Sequence, residues 1–208
     1  MHRGYPGKGC PCKHRLGHDT PFYFRGIRRH PEFASNPDVV ALYSRTKSDY
    51  PELSRTRNAR LIMSNVIPDE MYDPECQPYC TWNSDIARED TYRELAERYP
   101  SMRYQVGRAC AAAGYVDLYK ELCLLPHVSI AEEARECDTP GGNEIFQIIM
   151  ASPIKCAVMD NFTRSINTKV PKTPSFLNGN TTVRWTLEAR ESSPKTERGI
   201  FVFWRTRY

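Results

Sequence analysis

The sequence predicts a mainly α-helical protein: an irregular bundle or short stack of helical hairpins, with a disordered N-terminal arm and a small C-terminal β-hairpin. Three observations support this prediction. Apolar residues at helical spacing dominate the centre, glycine and proline interrupt residues 1–35, and β-branched and aromatic residues cluster near the end. The chain therefore divides into a disordered or loop-rich basic arm (1–35), a helical domain (36–165) and a loop-rich basic tail (166–208).

The N-terminal arm contains four side chains of the kinds that bind zinc, in the spacing C-x-C-x-H-x3-H. Zinc prefers a tetrahedron of thiolate and imidazole ligands, and the H-x3-H gap is normal for structural sites. The C-x-C gap is tighter than usual, so disordered thiols and surface histidines are the alternative interpretation. A second pair, Cys76 and Cys80, would share the same site. The four candidate ligands are Cys10, Cys12, His14 and His18.

Aromatic and basic residues lie side by side from Phe22 to His30. Such a stretch can stack on bases and bind phosphates, which would indicate contact with nucleic acid. It can equally pack its aromatic rings on the domain and leave the arginines in water. Both interpretations remain open from the sequence.

Three helices are predicted before residue 100. Asn36-Pro37 combines a capping side chain with proline at the first helical position, which predicts a helix to about Lys47. A second helix is predicted over 55–66, followed by an extended, proline-rich linker. The third is predicted from about Ser84 to Tyr99 and is the most periodic. Its buried face consists of Tyr92, Leu95, Ala96 and Tyr99.

Residues 100–125 predict a helical hairpin that turns at Gly114. Small residues repeat at helical spacing before the turn, and leucines repeat at the same spacing after it. Gly114 supplies the positive φ that ends a helix at low cost. Large residues facing small ones would let the two arms interdigitate. The predicted hairpin core contains Val106, Cys110, Ala113, Gly114, Leu118 and Leu122, and the leucine stripe continues to Leu125.

The stretch Cys110-Ala111-Ala112-Ala113-Gly114-Tyr115 resembles the A-A-x-x-G-H turn of an ankyrin repeat over about 26 residues. The pairs 118–119 and 122–123 fall where that repeat has its V-V and L-L pairs, and the resemblance implies a protein-binding hairpin. The T-P-L-H start is replaced by Y-P-S-M, and no second copy follows at the period of about 33 residues. A helical hairpin unrelated to ankyrin is therefore the alternative. More loosely, residues 84–180 resemble uncharacterised proteins of filamentous fungi.

The remaining chain predicts three further short helices and two strands. Ser129 and Glu132 form a capping box, which predicts a helix to about Glu136. Helices over 144–150 and 152–164 should follow, the second starting at Ser152-Pro153. Residues rich in β-branched and aromatic side chains predict a hairpin between 181–187 and 199–204.

The charge is unevenly distributed along the chain, and it leaves open whether the ends bind a partner. Residues 1–60 carry 12 Lys and Arg against 5 Asp and Glu, residues 61–160 carry 8 against 17, and residues 161–208 carry 9 against 3. An acidic helical centre is thus flanked by two basic ends, which would contact phosphate or an acidic partner, fold back on the centre, or simply be solvated. No apolar run approaches the ~20 residues of a membrane span.

No phosphate loop, dinucleotide fingerprint or hydrolase motif is present, so the sequence gives no residue-level support for an enzyme. Cys123 and His127 are four residues apart and could form a thiolate–imidazole nucleophile, but Pro126 lies between them, which favours a structural cysteine and a loop histidine. The polar N-terminus is unlike a secretory signal, so we expect an intracellular protein, cytoplasmic or nuclear, with reduced cysteines and no cofactor. The main prediction is a protein–protein interaction module of unknown partner; the alternative is a zinc-stabilised nucleic-acid-binding protein using the basic arm.

Overall fold

A computed structural model describes residues 20–46, 50–161 and 163–169 and is mainly helical, as predicted. Within these ranges the chain forms nine α-helices followed by a two-stranded antiparallel sheet. In chain order they are α1 (Thr20–Arg29), α2 (Pro31–Ala34), α3 (Pro37–Thr46), α4 (Pro51–Met63), α5 (Glu89–Arg98), α6 (Arg103–Ala113), α7 (Val116–Glu121), α8 (Val128–Cys137), α9 (Pro140–Ala151), β1 (Met159–Asp160) and β2 (Ser165–Ile166). In the part of the chain that is described, no helix is both long and apolar enough to cross a bilayer.

The prediction of loop or disorder for residues 1–35 is wrong over 20–34, where α1 and α2 form. The signals were misleading because Pro31 starts a helix, at the position where its missing N–H costs nothing, instead of breaking one. Ile27 and Ala34 are fully buried and form a small core with Val39 and Leu53. This N-terminal core is separate from the larger core built by the rest of the described chain.

Helices α3 and α4 correspond to the predicted helices over 36–47 and 55–66. The Asn36 side chain caps α3 by accepting a hydrogen bond of 2.8 Å from the Asp38 backbone N–H, as its spacing predicts. Helix α4 begins at Pro51, earlier than expected, because this proline also occupies a first-turn position. It ends at Met63, so Val66 lies beyond the helix and is half exposed.

Helix α5 presents the predicted buried face of Tyr92, Leu95, Ala96 and Tyr99 to the main core. It begins at Glu89 and not at Ser84, since the preceding residues are extended and Arg88 has a φ of −66° and a ψ of 153°. The linker between α4 and α5 contains one short 3₁₀ turn, Pro74–Cys76, and the Asp73 side chain accepts a hydrogen bond from the Glu75 N–H at its start.

The hairpin at Gly114 is present as predicted, with α6 before it and α7 after it. Gly114 has a φ of 80°, and its N–H donates to the Cys110 carbonyl over 2.7 Å. Val106, Cys110, Leu118 and Leu122 are buried, whereas Ala113 and Gly114 are half-buried. Leu125 lies beyond the end of α7 and is 41 % exposed, so its assignment to the buried stripe is wrong.

The small residues of α6 let α8 and α9 approach this helix closely. A Cβ atom added at Gly107 would lie 2.5 Å from Cδ1 of Leu124 and 3.0 Å from Cδ1 of Ile130, in α8. One added at Gly142, in α9, would lie 2.9 Å from the Ala111 carbonyl oxygen. Helices α8 and α9 therefore pack on the small face of α6, where side chains of ordinary size would not fit.

Two predictions for the last part of the chain are wrong. Helix α8 starts at Val128 and is capped by His127 instead of by a Ser129–Glu132 capping box. No helix forms over the described residues between 152 and 164. The chain there forms β1 and then β2, with Met159 paired to Ile166, and Cys156 bridges to His127. Tertiary pairing thus overrides the local helix-start signal at Ser152-Pro153. The predicted strands 181–187 and 199–204 lie outside the described residues.

Candidate functional site

The sequence-predicted metal site lies outside the described residues, because Cys10, Cys12, His14 and His18 all precede residue 20. Of the second pair, Cys76 is half-buried and Cys80 is buried. Within the described ranges no three His, Cys, Asp or Glu side chains are grouped so that they could hold a metal ion. The zinc and nucleic-acid hypotheses for the arm therefore remain predictions.

The most concentrated polar chemistry in the described chain surrounds Arg108, on the face of α6 that meets α8. Its Nη2 donates to Oε2 of Glu133 over 2.8 Å, and both side chains are largely buried, with 14 % and 17 % exposed. The other carboxylate oxygen of Glu133 accepts a hydrogen bond of 2.8 Å from the Trp82 indole N–H. Both oxygens of this carboxylate thus have a charged or polar donor.

Asn161, at the turn after β1, joins the same group of side chains. Its Oδ1 accepts hydrogen bonds from the Tyr79 hydroxyl over 2.8 Å and from Nη1 of Arg108 over 2.9 Å. The Arg108 guanidinium also lies over the Trp82 ring, 4.8 Å from its centroid. We refer to Tyr79, Trp82, Arg108, Glu133 and Asn161 as the Arg108 network. It ties the linker before α5 to α6, α8 and the sheet.

The charges of the Arg108 network are matched to one another. Burial has the largest single effect on the pKa of Arg108 and lowers it, but the charge and the hydrogen bond of Glu133, with smaller contributions from Tyr79 and Cys80, together outweigh burial, so the net shift of this pKa is upward. The arginine therefore stays charged. The Asn161 side-chain amide is also engaged within the fold, since Nδ2 donates to the Ser129 hydroxyl over 3.4 Å. This arrangement stabilises the fold and leaves no acid or base free for catalysis within the network.

His127 is a buried structural residue and not a loop histidine. Its Nδ1 lies 2.9 Å from the Ser129 N–H and its Nε2 lies 2.8 Å from the Met159 N–H, so the ring joins the start of α8 to β1. A neutral imidazole accepts at one nitrogen only, and a protonated one accepts at neither. Burial, with a smaller contribution from the charge of Arg108, lowers the pKa of His127 to about 3. The ring is therefore neutral in the folded protein near pH 7.

The proposed Cys123–His127 nucleophile does not form. Cys123 is exposed with a φ of 46°, and both nitrogens of His127 face backbone N–H groups. Burial raises the pKa values of the Cys80 and Cys110 thiols, so these two side chains are protonated and unreactive. Neither of these two buried cysteines has the lowered pKa that a catalytic thiolate needs.

The glycine pair Gly141-Gly142 is used for packing and not for cradling phosphate. A Cβ atom added at Gly141 would lie 2.1 Å from the Gly114 carbonyl oxygen. One added at Gly142 would lie 2.9 Å from the carbonyl oxygens of both Ala111 and Ala134. The space beside these glycines is therefore occupied by the backbones of α6 and α8, which explains the two adjacent glycines.

Exposed acidic side chains are grouped on the surface of α5 and α7. Arg93 of α5 joins the two helices, since its Nε lies 2.8 Å from Glu121 of α7. Its Nη1 lies 2.9 Å from Asp90 of its own helix. The surrounding exposed side chains are mainly carboxylates, spaced three or four residues apart on each helix. We call this surface the acidic face; its carboxylates are Asp90, Glu94, Glu97, Asp117 and Glu121.

Sequence reasoning did not single out Arg108, Glu133 or Asn161. One signal was available: Arg108 interrupts the small, apolar stretch of α6 on a side that the structure turns toward α8. A charged residue in that position needs a partner of opposite charge nearby. Which of the many acidic residues supplies it depends on how α8 packs, and no spacing along the chain reveals that.

Comparison with known families gives one match, to the model of the YKP1 C-terminal domain, over residues 82–188. This range is just over half of the chain. The chain belongs to the YKP1 C-terminal domain family. The YKP1 C-terminal domain thus begins at Trp82 and includes α5 to α9 and both strands, whereas α1 to α4 precede it. No curated protein and no solved structure matches the chain.

This family match does not test two resemblances drawn from the sequence. The likeness of the Gly114 hairpin to an ankyrin repeat remains a prediction, although the hairpin itself is present. The likeness of residues 84–180 to proteins of filamentous fungi also remains a prediction.

Proposed function

We propose that this chain is an intracellular protein–protein interaction module and that the acidic face of α5 and α7 is its docking surface. The observation that carries the proposal is the ion pair between Arg93 of α5 and Glu121 of α7, which links the two helices. Five exposed carboxylates lie on these two helices of the YKP1 C-terminal domain. A partner with a basic surface would be complementary to them.

The distribution of the other polar groups supports this proposal. Arg108 and Glu133 are bound to each other, His127 is neutral, and the Cys110 thiol is protonated because it is buried. The core of the domain thus uses its polar groups for its own stability. Exposed carboxylates at a protein surface increase the rate of association with a basic partner and help to select it.

The intracellular part of the proposal draws on the cysteines. All six cysteines within the described residues are free thiols, and Cys80, Cys110 and Cys156 are buried ones. Free thiols in this number are typical of proteins that work in a reducing compartment.

The proposal can be tested by removing two carboxylates that stabilise nothing inside the fold. Glu94 and Glu97 are exposed on α5, one turn apart. The double variant E94Q/E97Q of the full chain should fold normally but lose the basic partners that the wild-type chain captures in quantitative affinity purification. Capture by the wild-type chain should also weaken as salt rises, because the interaction is between exposed charges.

A matched control removes two exposed carboxylates from other helices, Glu32 of α2 and Glu136 of α8. The variant E32Q/E136Q changes the net charge equally and should keep the same partners. An unchanged partner set for E94Q/E97Q, or equal losses for both double variants, would contradict the proposal.

A further inference from the structure

Tyr72 is unusual among the aromatic residues of the described chain, because 74 % of its surface is exposed. It lies in the linker between α4 and α5, two residues before the 3₁₀ turn Pro74–Cys76. The backbone at Met71 and Tyr72 belongs to no helix or strand. Tyr72 is therefore presented on an irregular segment, which is the kind of segment that modifying enzymes bind.

The neighbouring residues hold this segment in place and turn Tyr72 outward. Met71 is fully buried, and its carbonyl accepts a hydrogen bond of 2.8 Å from the Gln77 side chain. The Tyr99 hydroxyl donates to the Pro68 carbonyl over 2.7 Å. The Tyr72 ring packs on the buried Tyr99 ring with 5.3 Å between centroids. With one side of its ring on Tyr99, Tyr72 keeps most of its surface in solvent.

The charges near Tyr72 are acidic except for one arginine. Arg98 forms an ion pair with Asp69, and its guanidinium lies over the Tyr99 ring, 5.9 Å from the centroid. Tyr72 contacts that same Tyr99 ring, and Arg98 lies near enough to Tyr72 to interact with it electrostatically. The pKa of Arg98 is raised, first by the hydrogen bond to Asp69 and further by the negative charge of Asp69. The exposed carboxylates around Tyr72 are Asp69, Glu70, Asp73 and Glu75.

We propose that Tyr72 is a phosphorylation site and that Arg98 binds the phosphate once it is attached. A protein kinase that recognises acidic segments would transfer the γ-phosphoryl group of a magnesium-bound nucleoside triphosphate. A bond forms between the Tyr72 Oη and the γ-phosphorus, and the bond from that phosphorus to the bridging oxygen breaks. The nucleoside diphosphate leaves with the bond's electron pair, and the phenol proton passes to the kinase's catalytic base. No oxidant or reductant is needed.

Two properties of the segment favour this acceptor. A kinase whose peptide groove is lined with lysine and arginine is complementary to the carboxylates on both sides of Tyr72. The product would carry about two negative charges and three strong acceptor oxygens. An ion pair as exposed as Arg98–Asp69, with 34 % and 85 % of its side chains exposed, is easily exchanged. Arg98 would therefore move from Asp69 to the phosphate, which offers it a stronger, charge-assisted hydrogen bond.

The site is tested with the purified full chain, a purified tyrosine kinase with a preference for acidic substrates, and magnesium ATP. Mass spectrometry of the digested protein should find the phosphate on Tyr72, and Y72F should lose most of the incorporation. Y23F is the matched control, since Tyr23 is another exposed tyrosine but lies on α1. The proposal is overturned if the chain takes up no phosphate, or if Y72F takes up as much as the wild type.

The role of Arg98 is tested separately by ³¹P NMR of the phosphorylated full chain. The nearby carboxylates raise the second pKa of the phosphate, whereas Arg98 lowers it by stabilising the dianion. In phosphorylated R98Q this pKa should therefore be higher than in the phosphorylated wild type. R93Q is the control, since Arg93 is also on α5 but pairs with the acidic face instead. Equal phosphate pKa values in the wild type and R98Q would overturn the role assigned to Arg98.

Discussion

Gly141 approaches Gly114 so closely that a Cβ atom added at Gly141 would lie 2.1 Å from the Gly114 carbonyl oxygen. This contact joins the start of α9 to the turn of the hairpin, backbone against backbone. Because neither side is a flexible side chain, the clash cannot be relieved without moving a helix. The hairpin and α9 are therefore held in one position by two glycines that lie far apart in the sequence.

The variant G141A should lose about 2 kcal/mol or more of unfolding free energy, as measured by urea denaturation, because overpacking here displaces backbone. The control is G26A in α1, where an added Cβ would lie 2.8 Å from Cε1 of Phe33, a half-buried ring that can turn aside. G26A should change the unfolding free energy by less than about 1 kcal/mol, since alanine also favours the helix. Equal losses for both variants would show that the Gly141 contact is not special.

The sequence predicts the fold well where local signals and packing agree. The turn at Gly114, the buried face of α5 and the Asn36 cap all follow from spacing and residue type alone. The prediction from the sequence fails where a proline can either start a helix or interrupt one. Pro31 and Pro51 start helices, and at Ser152-Pro153 the same kind of signal starts none because 156–160 pairs with His127 and β2 instead.

The polar core is harder to predict from the sequence than the fold. Ser129 and Glu132 have the residue types of a capping box, yet the His127 side chain caps α8. Its Nδ1 faces the Ser129 N–H because β1 holds the opposite edge of the ring at Nε2. Arg108 and Glu133 lie 25 positions apart, and their pairing depends on the crossing of α6 and α8. Periodicity shows which face of a helix is buried, but it does not show which residues meet across the core.

The stability of the protein should depend on pH through His127. Its pKa is lowered by burial from 6.5 to about 3, so between these values the unfolded chain binds a proton that the folded chain does not. The stabilisation by neutral His127 is complete above about pH 6.5 and is lost as the pH falls toward 3, at about 1.4 kcal/mol per pH unit.

Urea denaturation at several pH values measures this dependence. Between pH 6.5 and 4, the unfolding free energy of H127Q should change less steeply with pH than that of the wild type. The difference in slope should correspond to the uptake of about one proton on unfolding. H30Q, which removes an exposed histidine before α2, should keep the wild-type slope. The same slope in all three proteins would show that His127 does not resist protonation.

Removing one charge from the Arg108 network should lower the free energy of unfolding more than removing both charges does. In E133Q the guanidinium of Arg108 stays largely buried without a negative partner, so the loss should be about 3 kcal/mol. In the double variant R108M/E133L no charge is left unpaired, and the loss should be smaller than the sum for R108M and E133L.

The control for this cycle is E136Q, which removes an exposed carboxylate from the same helix, α8. It should change the unfolding free energy by no more than about 0.5 kcal/mol. Additive losses in the R108M/E133L cycle, measured by denaturation, would mean that the two side chains do not stabilise each other.

The reactivity of the thiols should follow their burial. Cys123 is exposed, whereas Cys80 and Cys110 are buried and burial raises the pKa of each. Cys123 should react with iodoacetamide first. The two buried thiols should react at least about 1,000-fold more slowly, because each reacts only when the core opens. Peptide mass spectrometry over a time course resolves the three sites, and addition of urea should make their rates converge. Rapid labelling of Cys110 in the folded chain would mean that α5 and α7 do not cover this side of α6, which is the packing on which the hairpin depends.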